Sequence, residues 1–124
     1  MPPYGGGKRG KLMELRTACS PKDVKHYTTE RLRDEFLVQG LFTPDEIKLV
    51  YSHIDRIIIG AATPVNKKLV LTAGEELRAE YFLQRRELGV INIGGAGKIT
   101  VDGKVYNVAP REGMYIGMGS RDIS

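Results

Sequence analysis

Residues 85–108 read RRELGVINIGGAGKITVDGKVYNV, a stretch that combines apolar runs with closely spaced glycines. Its four glycines within nine residues fit either a phosphate-binding loop or a tight bend in a β-sheet. A dinucleotide-binding loop needs Gly-x-Gly-x-x-Gly opening a helix, but after Gly95 and Gly97 the next position of that motif is Thr100. A P-loop needs Ser or Thr after Gly97-Lys98, and Ile99 stands there. We therefore interpret the glycines as a β-bend.

The residues around that bend have the pattern of strands. Residues 87–94, ELGVINIG, are almost continuously apolar, which is typical of a strand covered on both sides. Asp102-Gly103 suits a two-residue type I′ turn, so residues 98–108 are predicted to form a hairpin. That turn places Ile99 opposite Tyr106 and Val101 opposite Lys104, and the face with Ile99, Val101, Tyr106 and Val108 is predicted to be core. Residues 114–117, MYIG, add a further strand.

The first half of the chain mixes short helices with strands. Residues 13–27 are expected to be irregular or to pair at a sheet edge. Residues 27–36 predict a short helix capped by Thr28 or Thr29 and stopped by Gly40. Residues 43–46 spell a capping box, TPDE, but the alternation and β-branched residues that follow favour at most one helical turn, then a long strand or bent strand pair over 47–60.

The segment between the two β regions gives weaker signals. Pro64 and Asn66 mark a turn. KKLVLT (residues 67–72) is predicted to be a short strand, and AGEELRAEYFL (residues 73–83) to be helical for a turn or two. The whole is predicted to be mainly β with short helices.

Composition limits the class of protein. The 124 residues suit one small domain or part of a larger one, with 41% hydrophobic and 27% charged residues. No apolar run is long enough for a membrane span, and a single cysteine, Cys19, fits a reducing compartment. Residues 1–12 are Gly/Pro-rich and carry three of the four net positive charges. We expect residues 1–12 to be a vector-derived leader, with a genuine basic arm as the alternative, and residues 13–124 to be the domain.

The candidate site residues are few, and each has a structural interpretation beside the functional one. His53 is flanked by Tyr51 and Asp55 in a predicted strand; a substrate-facing polar row is the functional hypothesis, and a half-buried histidine is the ordinary one. Arg85, Arg86 and Glu87 form a charged group before an apolar strand, suited either to carboxylate binding or to an internal ion pair or subunit contact. With two histidines, one cysteine and no paired ligand spacing, no metal site is expected within the chain.

Three longer stretches carry a resemblance to a known family. RDEFLVQGLF (33–42), LVYSHIDRIIIGAATP (49–64) and YFLQRRELGVINIGGAGKITVDGKVYNV (81–108) closely resemble the N-terminal half of the 5-keto-4-deoxyuronate isomerases, also called 4-deoxy-L-threo-5-hexosulose-uronate ketol-isomerases. The resemblance spans about residues 31–116. It implies a cupin-like β-barrel or jelly-roll half of a tandem, bicupin protein. The strand, glycine bend, hairpin and Pro-x-x-Gly order of residues 87–117 agrees with half of a cupin.

The resemblance also implies an activity and a cofactor. The family interconverts 5-dehydro-4-deoxy-D-glucuronate and 3-deoxy-D-glycero-2,5-hexodiulosonate in pectin and polyuronide breakdown. Its zinc, held by three histidines and a glutamate, belongs to the C-terminal barrel, so no zinc ligand is carried over to residues 1–124. We therefore expect an inactive N-terminal fragment, truncated at its C-terminal edge, that packs on the missing C-terminal cupin half.

Further expectations concern site residues and partners. His53 and Glu87 are the catalytic candidates, and Arg56, Arg85 and Arg86 are the candidates for binding the uronate carboxylate. The protein is expected to be cytoplasmic and homo-oligomeric, with a sugar-acid substrate and neither nucleic acid nor membrane as partner. The alternatives are a non-catalytic, metal-free cupin module that binds a sugar acid, and a nucleic-acid binder that uses the leader and Arg85-Arg86.

Overall fold

The computed structural model describes residues 13–124, and the predicted leader lies outside the described residues. The chain divides between Lys67 and Lys68 into two compact units, each described by itself. In chain order the elements are β1 (Met13–Arg16), α1 (Pro21–Val24), α2 (Thr29–Phe36), β2 (Ile47–Ser52), β3 (Ile57–Ala62), β4 (Leu88–Ile91), β5 (Gly97–Val101), β6 (Lys104–Val108) and β7 (Gly113–Ile116). None of the helices in this part of the chain has the length and apolar character needed to cross a bilayer.

The first unit is built on a three-stranded sheet in the order β1-β2-β3. β1 runs parallel to β2, and β2 pairs antiparallel with β3 from Ile47 opposite Ala62 to Ser52 opposite Ile57. Met13 and Val50 are the buried side chains of this sheet. The predicted strand pair over 47–60 is confirmed, as is the edge pairing of the chain near residue 13.

Gly60 lets β3 lie close against β2. A Cβ at this position would stand 2.7 Å from the carbonyl oxygen of Lys48 and would collide with the Leu49 side chain. A side chain is thus excluded by packing, since the backbone of Gly60 is not in the left-handed region.

Helix α2 lies within the predicted range of residues 27–36 and ends at its last residue, Phe36. Thr28 is the N-cap, and its hydroxyl accepts a hydrogen bond from the Arg31 amide at 3.2 Å. The expectation that Gly40 stops the helix is wrong, because Leu37 already leaves the helical region at φ −84° and ψ 126°. Helix α1, which has proline at its start, was not predicted from the sequence.

Asp45 ties the start of the β2–β3 hairpin to the segment that leaves it. Its Oδ1 accepts from the amides of Val65, Asn66 and Lys67 at 2.8, 2.7 and 3.2 Å, and its Oδ2 accepts from the Asn66 side-chain amide at 3.0 Å. The residue is in the left-handed region, at φ 59°. These donors, those of Asn66 first, lower the pKa of Asp45 to about 2. The turn predicted at Pro64 and Asn66 is confirmed and is held by this carboxylate.

The second unit contains the predicted hairpin. Asp102 at φ 48° and Gly103 at φ 84° make the turn, and Ile99 pairs with Tyr106 and Val101 with Lys104 as predicted. The predicted core face is confirmed only in part. Val108 is buried and Ile99 and Val101 are half-buried, whereas the Tyr106 side chain is exposed.

The glycine cluster between β4 and β5 is a bend held by Asn92. The Asn92 side-chain amide donates to the carbonyl oxygens of Gly95 at 2.8 Å and Val108 at 2.9 Å, and its Oδ1 accepts from the Gly94 amide at 3.0 Å. Strand β5 begins at Gly97, where a nucleotide-binding motif would begin a helix. The interpretation of the glycines as a β-bend is therefore confirmed.

Strand β4 pairs antiparallel with β7, from Leu88 opposite Ile116 to Ile91 opposite Gly113. Its burial alternates: Leu88 and Val90 are half-buried, while Gly89 and Ile91 are exposed. The expectation that residues 87–94 are covered on both sides is thus not met within the described chain, where only one side of β4 is covered.

The segment between the two β regions is irregular. The prediction of a strand at residues 67–72 is wrong. This segment has no strand pairing and makes one backbone hydrogen bond to the end of the chain, from the Leu71 amide to the Ile123 carbonyl oxygen at 2.9 Å. The helical turns predicted at residues 73–83 are replaced by non-helical turns, since Gly74 and Arg78 lie in the left-handed region. The segment still supplies core side chains, Phe82 and the fully buried Leu83.

The prediction of a mainly β fold with short helices is confirmed. Residues 13–124 pair their strands as one three-stranded and two two-stranded sheets, in keeping with a cupin-like β fold. Closure into a barrel stays a prediction.

Replacing Asp45 by alanine is expected to lower the melting temperature at pH 7, because three backbone amides and one side-chain amide lose their acceptor. A carboxyl whose pKa is lowered on folding stabilises the fold above its unfolded pKa and loses that effect as the pH falls towards its folded pKa. The Asp45 contribution is therefore fully present above about pH 4 and is lost between about pH 4 and pH 2.

Thermal unfolding followed by circular dichroism at several pH values between 2 and 7 measures both effects. Asp34→Ala, on the exposed face of α2, is the matched control and is expected to leave the melting temperature unchanged. An Asp45→Ala protein with the same acid-unfolding profile as the parent would contradict the assignment.

Candidate functional site

The predicted polar row of the first unit is only partly formed. Strand β2 ends at Ser52, and His53 lies in the turn that follows, where its amide donates to the Arg16 carbonyl oxygen at 2.8 Å. The His53 ring contacts Tyr51, with ring centres 4.7 Å apart and planes at 52°. His53 is exposed, so the expectation of a half-buried histidine is wrong. Asp55 lies in the turn and does not extend the face of the strand.

Arg56 is at the end of the same turn, exposed and at φ 52°. A positive φ is costly for a residue with a Cβ, so the turn holds this arginine in an uncommon backbone conformation. Together, His53 and Arg56 place an imidazole and a guanidinium at one end of the β2–β3 hairpin. This arrangement is open to solvent and can contact an anion without desolvating it.

The second candidate group lies just before β4. Arg85 and Glu87 are exposed, and Arg86 is half-buried. The Glu87 carboxylate accepts a hydrogen bond of 2.6 Å from the Tyr115 hydroxyl on β7. This carboxylate raises the pKa of Tyr115 above 10, because the hydrogen bond stabilises the neutral phenol and the charge of Glu87 opposes its ionisation.

Sheet pairing creates the Glu87–Tyr115 contact. Tyr115 pairs with Gly89, which has no side chain. The Tyr115 ring can therefore extend over Gly89 to Glu87, which lies two residues before Gly89. Sequence reasoning singled out Glu87 but missed Tyr115. The pairing of MYIG with ELGVI is the signal that would have found it, since residues on one face of β4 are neighbours of residues on one face of β7.

A shallow groove in the second unit lies next to this pair. It is lined by apolar side chains and three hydroxyl-bearing ones: Val101, Tyr106, Met114, Tyr115, Ile116, Gly117 and Ser120. The Lys104 ammonium lies 5.1 Å from the centre of the Tyr106 ring. Aromatic faces, hydroxyl groups and a nearby cation are the chemistry that suits a sugar acid.

Residues 13–124 contain no group of three or more His, Cys, Asp or Glu side chains placed to hold a metal ion. We therefore assign no metal ligand in this part of the chain. The chemistry that the described residues can offer is proton transfer by Glu87 with Tyr115 or by His53, and anion binding by the arginines.

Comparison with known proteins identifies close relatives. The chain is 73% identical over 112 residues to the 4-deoxy-L-threo-5-hexosulose-uronate ketol-isomerase of Lachnoclostridium phytofermentans. It is 58% identical over 111 residues to the protein of the same name from Lachnospira eligens, and 56% identical over 112 residues to that of Halalkalibacterium halodurans. No protein-family model matches the chain.

These matches cover 90% of this chain but only 40–41% of each relative. The resemblance to the uronate ketol-isomerases is confirmed, and the chain corresponds to less than half the length of the relatives it matches. The roles of His53, Glu87, Arg56, Arg85 and Arg86 stay predictions.

Replacing Glu87 by glutamine is expected to lower the pKa of Tyr115 towards its ordinary value, because the amide is a weaker hydrogen-bond acceptor for the neutral phenol and carries no charge to oppose its ionisation. The Tyr115 ring resonances, titrated by NMR between pH 8 and 12 and assigned with Tyr115→Phe, give the measurement. Glu75→Gln is the control, as Glu75 is exposed and has the same charge. A Tyr115 titration unaffected by Glu87→Gln would show that the hydrogen bond does not form in solution.

Proposed function

We propose that this chain is one part of a uronate ketol-isomerase that interconverts 5-dehydro-4-deoxy-D-glucuronate and 3-deoxy-D-glycero-2,5-hexodiulosonate in the breakdown of pectin and related polyuronides. The observation that supports this proposal is the 73% identity over 112 residues to a protein named for that activity. Because the chain covers 41% of that relative, the activity is proposed for the longer polypeptide and not for residues 1–124 alone.

The reaction moves a carbonyl group between adjacent carbons without any net oxidation. A base removes the proton from the carbon that bears the hydroxyl, and the resulting enediolate takes a proton back at the former carbonyl carbon, while the hydroxyl proton passes to the former carbonyl oxygen. Glu87, hydrogen-bonded to Tyr115, offers a carboxylate and a phenol for such transfers, and His53 offers an imidazole. These are the chain's two candidate positions for proton transfer.

The carboxylate of a uronate substrate is expected to bind a positively charged side chain of the protein. Arginine binds a carboxylate through two parallel hydrogen bonds, which fixes orientation as well as charge. Arg85 is the first candidate for this role because it is exposed and stands two residues before Glu87. Arg86 and Arg56 are the other candidates.

The resemblance implies a zinc ion, and the described residues do not provide a set of ligands for it. The zinc is therefore proposed to lie in the part of the polypeptide that the match does not cover, and no step is assigned to it here. The proposed role of this chain is to pack against that part as an N-terminal β domain within a cytoplasmic homo-oligomer.

The second candidate function is a non-catalytic module that binds a sugar acid. The groove with Tyr106, Tyr115 and Ser120 next to Lys104 favours it, because this chemistry can hold a uronate without a metal ion.

A chimera tests the proposed function. When the matched segment of the Lachnoclostridium phytofermentans isomerase is replaced by the corresponding residues of this chain, the chimera is expected to retain the parent's turnover within about tenfold, or about 1.4 kcal/mol in activation free energy. Turnover of 5-dehydro-4-deoxy-D-glucuronate is measured by the change in its carbonyl absorbance. The 124-residue chain alone is expected to show no turnover.

The parent enzyme and the parent lacking the matched segment are the controls. A chimera that has the parent's circular dichroism spectrum but no turnover would contradict the isomerase proposal. Uronate binding by the isolated chain in that case would favour the sugar-acid module.

Replacing Arg85 by alanine in the chimera is expected to raise KM for the uronate by about 10- to 100-fold, since one or two charge-assisted hydrogen bonds are lost. Steady-state kinetics measure KM and kcat. Arg33→Ala, on the exposed helix α2, removes the same charge elsewhere and is expected to change neither. Unchanged KM and kcat in the Arg85 variant would remove this residue from the site.

A further inference from the structure

The sheet formed by β4 and β7 has an apolar side that nothing in the described chain covers. Ile91 is 75% exposed and Tyr115 is 66% exposed. Ile93 and Met118, which follow the two strands in sequence, are 69% and 66% exposed. Soluble proteins rarely leave several large apolar side chains open on one short sheet unless the surface contacts something.

Register decides which side chains form this surface. Paired residues lie on the same side of an antiparallel sheet, so Gly89 with Tyr115 and Ile91 with Gly113 form one side. We call these four residues the outer face of β4–β7. Each large side chain on it stands opposite a glycine, so the face is low and open between Ile91 and Tyr115. The other side carries Leu88, Val90, Met114 and Ile116, of which Ile116 is buried.

The sequence of β4 is typical of a strand that is buried on both sides, including the outer face. A strand with one side in water alternates apolar and polar residues, whereas ELGVINIG has apolar side chains or glycine at most positions on both sides. Of the four residues of the outer face only Tyr115 carries a polar group, and its hydroxyl donates at 2.6 Å to the carboxylate of Glu87, which precedes β4 on the same side. An apolar partner can therefore cover the face without leaving this hydroxyl unpaired.

We propose that the outer face of β4–β7 is the docking surface for the part of the isomerase polypeptide that lies outside the matched segment. The proposal rests on the proposed function. More than half of the Lachnoclostridium phytofermentans relative lies outside its match to this chain, so a polypeptide of that kind has ample length to supply a cover. A strand that is apolar on both sides is typical of a sheet enclosed within one polypeptide, which favours this occupant over a second copy of the chain.

The proposal is tested by substituting Ile91 in the chimera and in the isolated chain. Ile91→Lys is expected to lower the melting temperature of the chimera by about 5 °C or more, because a covered apolar site would receive an unpaired ammonium. The same substitution is expected to leave the melting temperature of the isolated chain unchanged, since Ile91 is exposed there. Val105→Lys is the matched control, because Val105 is on β6 of the same unit and 55% exposed, and it is expected to affect neither protein.

A second measurement keeps the test valid if the lysine variant of the chimera does not fold. In a Cys19→Ser background, alkylation of Ile91→Cys is expected to be about tenfold or more slower in the chimera than in the isolated chain, because thiol reactivity depends on exposure. Alkylation of Val105→Cys is expected to proceed at equal rates in the two proteins.

The outcomes separate this proposal from the proposed function. An active chimera in which Ile91→Cys reacts as fast as in the isolated chain leaves the isomerase proposal standing and overturns the docking surface. An inactive chimera that still protects Ile91→Cys supports the docking surface and contradicts the isomerase proposal. If the isolated chain dimerises in sedimentation analysis and Ile91→Lys abolishes the dimer, a second copy is the occupant and the proposal is overturned.

Discussion

The second unit depends on the hydrogen bonds of one side chain, Asn92. Its amide group donates to the carbonyl oxygen of Gly95 within the glycine bend and to that of Val108 at the end of β6, while its Oδ1 accepts from the Gly94 amide. Its backbone amide also donates to the Glu112 carbonyl oxygen, at 2.9 Å. The bend, the end of β6 and the start of β7 are thus joined at a single residue. Glycine alone would make the bend flexible, and Asn92 gives it one conformation.

Two aspartate side chains, those of Asp45 and Asp102, also hold distant backbone segments by accepting several hydrogen bonds each. Asp45 gathers three backbone amides of residues 65–67, and Asp102 gathers the amides of Arg121 and Asp122 at 3.0 and 2.8 Å. Both residues have positive φ, at 59° and 48°. A short carboxylate side chain tolerates this conformation and can accept bonds from a segment about 20 residues away. In each unit, therefore, an aspartate within a turn binds a backbone segment that is distant in sequence.

These long-range hydrogen bonds explain what could and what could not be predicted from the sequence. The Asp102-Gly103 hairpin, its register and the Thr28 cap depend on residues close in sequence, and they were predicted correctly. The irregular segment at residues 67–83 has local signals for a strand and a helix, but its shape is set by the left-handed backbone at Gly74 and Arg78 and by burial of Leu83. Of the candidate site, Glu87 was recognisable as a charged residue before an apolar strand, whereas its partner Tyr115 is 28 residues away and depends on the pairing of β4 with β7.

The one-sided burial of β4 has a different origin from the other failures. In residues 67–83 the sequence signals were outweighed by tertiary structure within the chain. In residues 87–94 the apolar signal is satisfied on one side, by Leu88 and Val90, and left without cover on the other, at Ile91. A sequence pattern reflects the burial of a residue in the assembled protein, whereas the 75% exposure of Ile91 describes residues 13–124 by themselves. Under the docking that we propose, the excess apolar character of β4 reflects a cover supplied by the rest of the isomerase polypeptide, of which the matched segment makes up 41% in the Lachnoclostridium phytofermentans relative.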